Sequence, residues 1–436
     1  MANTYLTRTL GTPTNSDICT ISVWLKIAST NATHGIAQQY SNSTNNFRFR
    51  IIPDGRLQIF QETLGASEIS LLTTQVFRDT SAWYHIVIAF DTTQGTASNR
   101  VKLYVNGSQI SDFDAETYPS QNTDIRYNIN SLVQEIGKQD TSNYFDGSMS
   151  HFHFTDGYAY DASAFGQYDA NGVWTIKTSP SVTYGTNGFF ILKDGNSVTD
   201  QSGNSNNFTV AGGTLTNTED NPSNVFATFN ALYNSNQNLS NGNLSATNTT
   251  STWNSRATTL AGSSGKYYAE YKVASPGTSY HMLGVGTVED IDPSDHAGTG
   301  TGTVAVYSQN GYKYVEGTDS AYANTYGDGD IIGIALDLDN NYVYFSKNGT
   351  WQNSGDPTSG ATGTGGISLP TTGTYAFTES VRSTSSSNSK VDANFGNGYF
   401  GTTAVASAGT NASGIGIFEY DVPTGYTALS TKGLNL

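Results

Sequence analysis

Apolar and polar residues alternate along most of this chain in short runs with a period of two, the pattern of strands that bury one face. Val101, Leu103 and Val105 share one face of such a run, and Asn106-Gly107 follows it, a strong hairpin signal because both residues tolerate positive φ. Residues 21–25 predict another strand, and residues 47–52 a third that turns at Pro53-Asp54-Gly55 into residues 56–60. Residues 83–90 are apolar on both faces, which predicts a central strand. Residues 145–154 alternate again, with Phe152 and Phe154 on one face and His151 and His153 on the other. Almost no stretch carries helical spacing.

Residues 171–250 differ in texture. Gly- and Asn-rich pieces are interrupted by short apolar runs such as residues 188–192, which predicts a connector with some strand content, part of it completing a first sandwich. A disordered linker would leave Phe208, Phe226, Phe229 and Leu232 exposed. From residue 251 the strand pattern resumes. Residues 266–273, 281–286 and 330–338 predict strands, the last turning at Asp339-Asn340-Asn341 into residues 342–346. Residues 353–366 and 383–389 predict surface loops, and the Gly/Ala/Ser-rich stretch 401–417 a surface excursion. The expectation is an all-β chain of two tandem antiparallel β-sandwiches, over 1–170 and 251–436, joined by the 171–250 connector.

Composition supports this and narrows the partners. The 436 residues suffice for two domains, and 46 Gly, 27 Tyr and 20 Phe suit turns and pleated surfaces. A net charge of −16 disfavours nucleic acid and anionic membrane, since each phosphate contact needs a Lys or Arg. No apolar run reaches the ~18–20 residues that span a bilayer, so membrane insertion is not expected. Cys19 is the only cysteine and falls in a predicted strand, where a small buried hydrophobe is expected. The first residues carry no apolar core of a secretory signal, so synthesis in the cytoplasm with exit by lysis or within a particle is expected.

Particular phrases carry two resemblances. Trp83-Tyr84-His85-Ile86-Val87, the Lys102-Leu103-Tyr104-Val105-Asn106-Gly107 hairpin and Tyr144-Phe145-Asp146-Gly147 resemble the laminin-G-like, concanavalin A-like lectin sandwich. With the Phe165 to Trp174 phrase, Tyr184 to Phe189 and Asp200 to Asn204, they resemble the version of that domain found in virion structural proteins of tailed bacteriophages, marine ones especially. Gly329 to Asp337, Val343 to Trp351, Val391 to Gly396 and Pro423 to Leu429 are similar to SPRY domains, a bent β-sandwich that serves as an interaction module. The first resemblance implies a jelly roll that often holds one calcium ion at its rim, a hard cation suited to aspartate oxygens. Asp91 and Asp146 are the candidate calcium ligands, set against a turn or capping role for each.

Catalytic chemistry finds little support. A retaining glycosidase places two carboxyls about 5 Å apart, met on a strand by alternate acidic positions, and no Glu-x-Asp-x-Glu run occurs. Asp337 with Asp339, and Asp290 with Asp292, have the i, i+2 spacing but fall at a hairpin end and in a loop. His151 and His153 could chelate a metal or simply form the polar side of a half-buried strand. Trp253, Tyr280, Tyr312, Tyr314 and Tyr322 fall in or near predicted loops and could supply an aromatic platform for sugar. The reading is therefore a non-enzymatic phage virion component, a tail or head fibre, appendage or capsid-decorating protein, displaying binding sandwiches on the particle surface. Its expected partners are other virion proteins, host-surface glycans and copies of itself. The alternatives are a bacterial surface or filament-forming adhesin, and a polysaccharide depolymerase.

Overall fold

The structure, a computed structural model, describes residues 3–193, 197–233, 236–275, 280–384 and 388–436. The chain divides into two compact units, Met1–Asn217 and Thr218–Leu436. Each is a β-sandwich of antiparallel sheets, and among the described residues the helical turns are all short 3-10 pieces. Of the predicted 383–389 loop, residues 385–387 lie outside the described residues.

In the first unit a six-stranded sheet runs in the order Phe189–Ile191, Gly147–Asp156, Ile18–Ile27, Tyr84–Asp91, Val101–Val105, Ser108–Ile110. Its inner face carries Ile21, Val23, Leu25, Ile86, Ile88, Leu103, Phe152 and Phe154. These pack against Phe47, Phe49, Leu57 and Ile59 of an eight-stranded sheet. Alternation places them there, because successive side chains of a strand point to opposite faces. The hairpin after Val105 turns with Asn106 at φ 47° and Gly107 at φ 84°, the left-handed pair its sequence predicts. Cys19 is fully buried, as expected of its strand position.

The second unit pairs a nine-stranded sheet with a six-stranded one. Lys266–Val273 and Ile331–Asp337 are neighbours in the first. The second runs Asn254–Ala257, Tyr375–Arg382, Tyr280–Thr287, Thr303–Tyr307, Tyr312–Val315, Thr318–Ala321. Tyr271, Leu283, Val285, Ile334, Phe345, Phe377 and Phe395 fill the space between them.

The residues read as a connector, 171–250, form no separate element. Phe189–Ile191 pairs with the Gly147–Asp156 strand, and Thr209–Ala211 pairs with Tyr5–Thr9. Ser245–Asn248 joins the second unit beside Ser389–Asn394. Two carboxylates fasten the first part. Asp156 accepts the backbone N–H groups of Thr14, Asn15 and Asn187, and Asp200 those of Phe190, Ser202 and Asn206. A Gly- and Asn-rich tract can thus be ordered by fixed acceptors rather than by apolar content.

In each unit a late segment also lies across the outer face of one sheet. In the first, Ala162 and Phe165 cover Val87, with Tyr104, Tyr160, Trp174 and Val182 around them. In the second, Phe418, Val422 and Tyr426 cover Tyr268, Ala335 and Tyr344. The stretch expected to be a surface excursion, 401–417, therefore leads into a packed cover whose Phe418 is buried. The covering segments also correct the reading of His151 and His153. A register shift between Ser150 and His153 interrupts the alternation, and both imidazoles are buried against Phe190 of the neighbouring strand, with Phe165 of the cover on His153, instead of facing solvent.

Candidate binding surface

The candidate calcium ligands are far apart. Asp91 pairs with Ile18 at one end of the Ile18–Ile27 strand, while Gly147, next to Asp146, pairs with Ile27 at the other. At ~3.4 Å per residue the two lie on the order of 30 Å apart. Asp91 caps a turn, its carboxylate accepting from Thr93 N–H, Thr93 Oγ1 and Gln94 Nε2. Asp146 is held up by burial, opposed by the neighbouring His34 and by a bond from Ser29. Among the described residues no three His, Cys, Asp or Glu side chains converge as metal ligands would. A calcium ion takes six to eight oxygens, and this donor set does not fit a shared site.

The paired acids serve the fold. Asp337 is buried, bonds Asn340 and pairs with Lys266 at 2.8 Å. Asp339 accepts Gly265 N–H. Asp290 accepts the Thr287 hydroxyl, and Asp292 caps Ser294. Of the two histidines weighed as chelators, His151 Nδ1 is taken by Ser150 Oγ at 2.7 Å and His153 Nδ1 by the Tyr184 hydroxyl at 2.9 Å.

Among the described residues two carboxyls are strongly shifted, and sequence spacing marks neither. Glu270 is pushed up to about 7 by burial, opposed by bonds from Glu419 N–H, Tyr420 N–H, Tyr268 and Asn394. Both amides approach to 2.8 Å, so Glu270 anchors the second unit's cover. Glu379 is pushed up to about 8 by burial, opposed by Arg256 and Gln237. Its side chain points into the core, on the same face as Phe377 and Val381. Neither group is open to a substrate.

The aromatic candidates do assemble. Tyr280 opens the Tyr280–Thr287 strand opposite Arg382, and Tyr307 ends the strand beside it, opposite Met282. The rings of Tyr280 and Tyr307 stack with centroids 6.4 Å apart. Trp253 approaches Tyr307 at 6.0 Å, and Tyr314 meets Tyr307 edge-on at 6.1 Å. Two serines bring a loop onto this face. Ala297 N–H donates to Ser380 Oγ at 2.7 Å and Ser255 N–H to Pro293 O, which sets His296 against Trp253 and Tyr314. The Arg382 guanidinium lies 5.2 Å over the Tyr280 ring. Its Nε is buried with no acceptor among the described residues.

The result is a patch of half-buried rings at one end of a sheet, with one cation at its margin and Met282 and Ala305 beneath. Tyr312, two residues before Tyr314 and so on the same face, is 37% exposed. Tyr322 does not take part. It packs on Phe345 and donates its hydroxyl to Gly365 O. Tyr307, His296 and Arg382 were not singled out from sequence, because pairing across strands brings them together and local spacing does not.

The folds and this surface define a chain of two interaction-type sandwiches, and comparison with known proteins gives the same architecture. Residues 2–162 match the concanavalin A-like lectin/glucanases superfamily, and residues 266–369 match the SPRY domain. Among solved structures, the SPRY domain of human HERC1 is similar at 16% identity over 38% of this chain and 96% of that chain, with a TM-score of 0.31. A human SPRY domain is similar at 14% identity over 34% and 90%, with a TM-score of 0.27. No curated protein matches the chain.

Proposed function

We propose that this chain is a non-enzymatic binding protein carried on the particle of a tailed bacteriophage, contacting a host-surface glycan through the aromatic platform of its second unit. The observation that carries the binding role is the cluster of Trp253, Tyr280, Tyr307 and Tyr314 with Arg382 at its margin. Such rings offer flat apolar faces, and the half-buried Arg382 at the margin offers a positive charge to a ligand oxygen. Concanavalin-like and SPRY sandwiches in one chain suit a binding role. Among the described residues the two strongly shifted carboxyls, Glu270 and Glu379, are both consumed by the fold, which supports a non-catalytic role. The particle assignment rests on the phage-like phrases of the first unit and, with the glycan, is tested separately from binding itself. Mass spectrometry of purified particles should recover the chain, and particles lacking it would overturn that assignment. A glycan array probed with the full chain should give signals that Tyr280→Ala and Tyr307→Ala abolish. An array silent for the unmodified chain would overturn the glycan reading.

A further inference from the structure

A second surface, in the first unit, is built from residues that mostly follow the matched 2–162 stretch. A groove of about 420 Å³ opens between the Asn106-Gly107 turn, the short turn Ala162–Ala164 and the hairpin of Gly166–Tyr168 with Trp174–Ile176. That volume lies toward the lower end of small-molecule sites, roughly 300–1,000 Å³. Tyr104, Tyr168 and Trp174 supply its aromatic walls, and Asp161, Gln167 and Lys177 its polar rim.

The Trp174 ring is fixed before any ligand arrives. Its Nε1–H donates to His85 Nδ1 at 3.0 Å, and His85 Nε2 meets Ser22 Oγ at 2.9 Å. Since Nδ1 accepts from the indole, the imidazole proton sits on Nε2 and donates to the serine. His85 is stacked on Trp24 at 4.7 Å and lies nearly coplanar with Trp174, edge to edge across that hydrogen bond, so the three rings are rooted together in the sheet. Two glycines make room for Trp174. A Cβ on Gly107 would come within 2.5 Å of the indole, and one on Gly166 within 2.4 Å. Tyr168 stands nearly upright on Trp174, at 4.9 Å and 71°, and is 57% exposed. The two rings form a corner open to solvent.

Around that corner donors and acceptors are mixed and their charges cancel. Asp161 Oδ1 is used by the N–H and hydroxyl of Ser163, leaving Oδ2 to accept. Lys177 Nζ gives one N–H to Ser163 O and keeps two. The Gln167 side chain, exposed on the rim, offers both an acceptor and a donor. An aromatic face flanked by neutralised charges and an amide matches a ligand with one apolar C–H face and an edge of hydroxyls. With its N–H taken by His85, the Trp174 indole brings apolar ring surface and no donor to the groove.

We propose that this groove binds a single neutral pyranose unit, stacked in the Trp174–Tyr168 corner with its hydroxyls shared between Asp161, Gln167 and Lys177. The site is separate from the platform of the second unit and deepens the glycan reading without depending on it. The test titrates the full chain with methyl glycosides of glucose, galactose, mannose and N-acetylglucosamine, followed by saturation-transfer NMR. At least one should bind saturably. Tyr168→Ala should weaken it about tenfold, Tyr168→Phe should leave it intact, and Tyr280→Ala in the other unit should not change it. No saturable binding, or binding indifferent to Tyr168→Ala, would overturn the groove. Loss with Tyr280→Ala alone would overturn the groove and leave the platform standing. A proline-rich peptide that displaces the glycoside on the same ring, or binds where no glycoside does, would overturn the saccharide assignment in favour of peptide recognition.

Discussion

The two units solve one problem with opposite chemistry. Each lays a late segment over the outer face of a sheet and must fasten it. The first uses groups that are neutral in the fold, the Trp24–His85 stack hydrogen-bonded to Trp174 and closed by Ser22. The second uses an ionisable one, Glu270, which receives the amides of Glu419 and Tyr420. An aromatic cluster spreads its stabilisation over contact area. A carboxyl concentrates it in a few bonds whose strength follows protonation.

The largest break in this comparison should come from Glu270→Ala. It strands two buried amides, each costing about 1–3 kcal/mol, so the second unit should lose roughly 3 kcal/mol. Hydrogen-exchange mass spectrometry should show protection falling in residues 415–422 and 266–273, with the first unit unchanged. The matching break in the first unit is Gly166→Ala, whose Cβ would collide with the indole. Expelling Trp174 should cost about 2 kcal/mol, as overpacking does. It should expose residues 162–176 to exchange and leave the second unit as it was.

A smaller effect sharpens the contrast, because the two units should respond to pH with opposite sign. Glu270 and Glu379 are pushed up to about 7 and about 8 by burial, whereas unfolded Glu titrates near ~4.3. Their protonated forms favour the folded state, so that contribution is full at low pH and is lost as pH rises through 7 to 8. His281, pushed down to about 3 by burial, opposes this below ~6.5, but two carboxyls outweigh one imidazole. In the first unit, burial pushes His85 down to about 3 and His153 well below its ordinary value. Their contribution is full above ~6.5 and is lost as pH falls toward 3. Raising pH from 5 to 7.5 should therefore weaken the second unit and strengthen the first. Exchange corrected for its intrinsic pH dependence reads both at once. Parallel slopes would remove the contrast. The smallest effect is Ser22→Ala, which leaves His85 Nε2–H without an acceptor and should cost about 1 kcal/mol in urea unfolding.

Much of the fold was legible where burial is written in apolar residues. The Tyr84–Asp91 strand and the Asn106-Gly107 hairpin stand out because alternation and turn chemistry agree. The His34–Asn42 strand does not, because its buried positions include Gln38 and Gln39, satisfied by distant Glu135 and by Ser41. Tyr375–Arg382 hides the same way, with Thr378, Glu379 and Ser380 all buried. The platform was half legible. Trp253, Tyr280 and Tyr314 stand out as aromatics near loops, whereas Tyr307 and Arg382 join them only through pairing across strands. Asp91 and Asp146 lie beside opposite ends of the Ile18–Ile27 strand, a separation that spacing along the chain does not encode.

The sharing of residues 171–250 between the sandwiches has a consequence for biosynthesis. The Tyr5–Thr9 strand leaves the ribosome some two hundred residues before its partner Thr209–Ala211. At about 5–20 residues per second, that is a wait of roughly 10–40 seconds with one flank unpaired. The second sandwich closes later still, when Thr427–Ala428 pairs in parallel with Tyr267 and Tyr268. Such long-range closures make for slow folding and for sticky nascent chains. Production in a heterologous host should therefore depend on chaperone supply and growth temperature more than the stability of the finished protein would suggest.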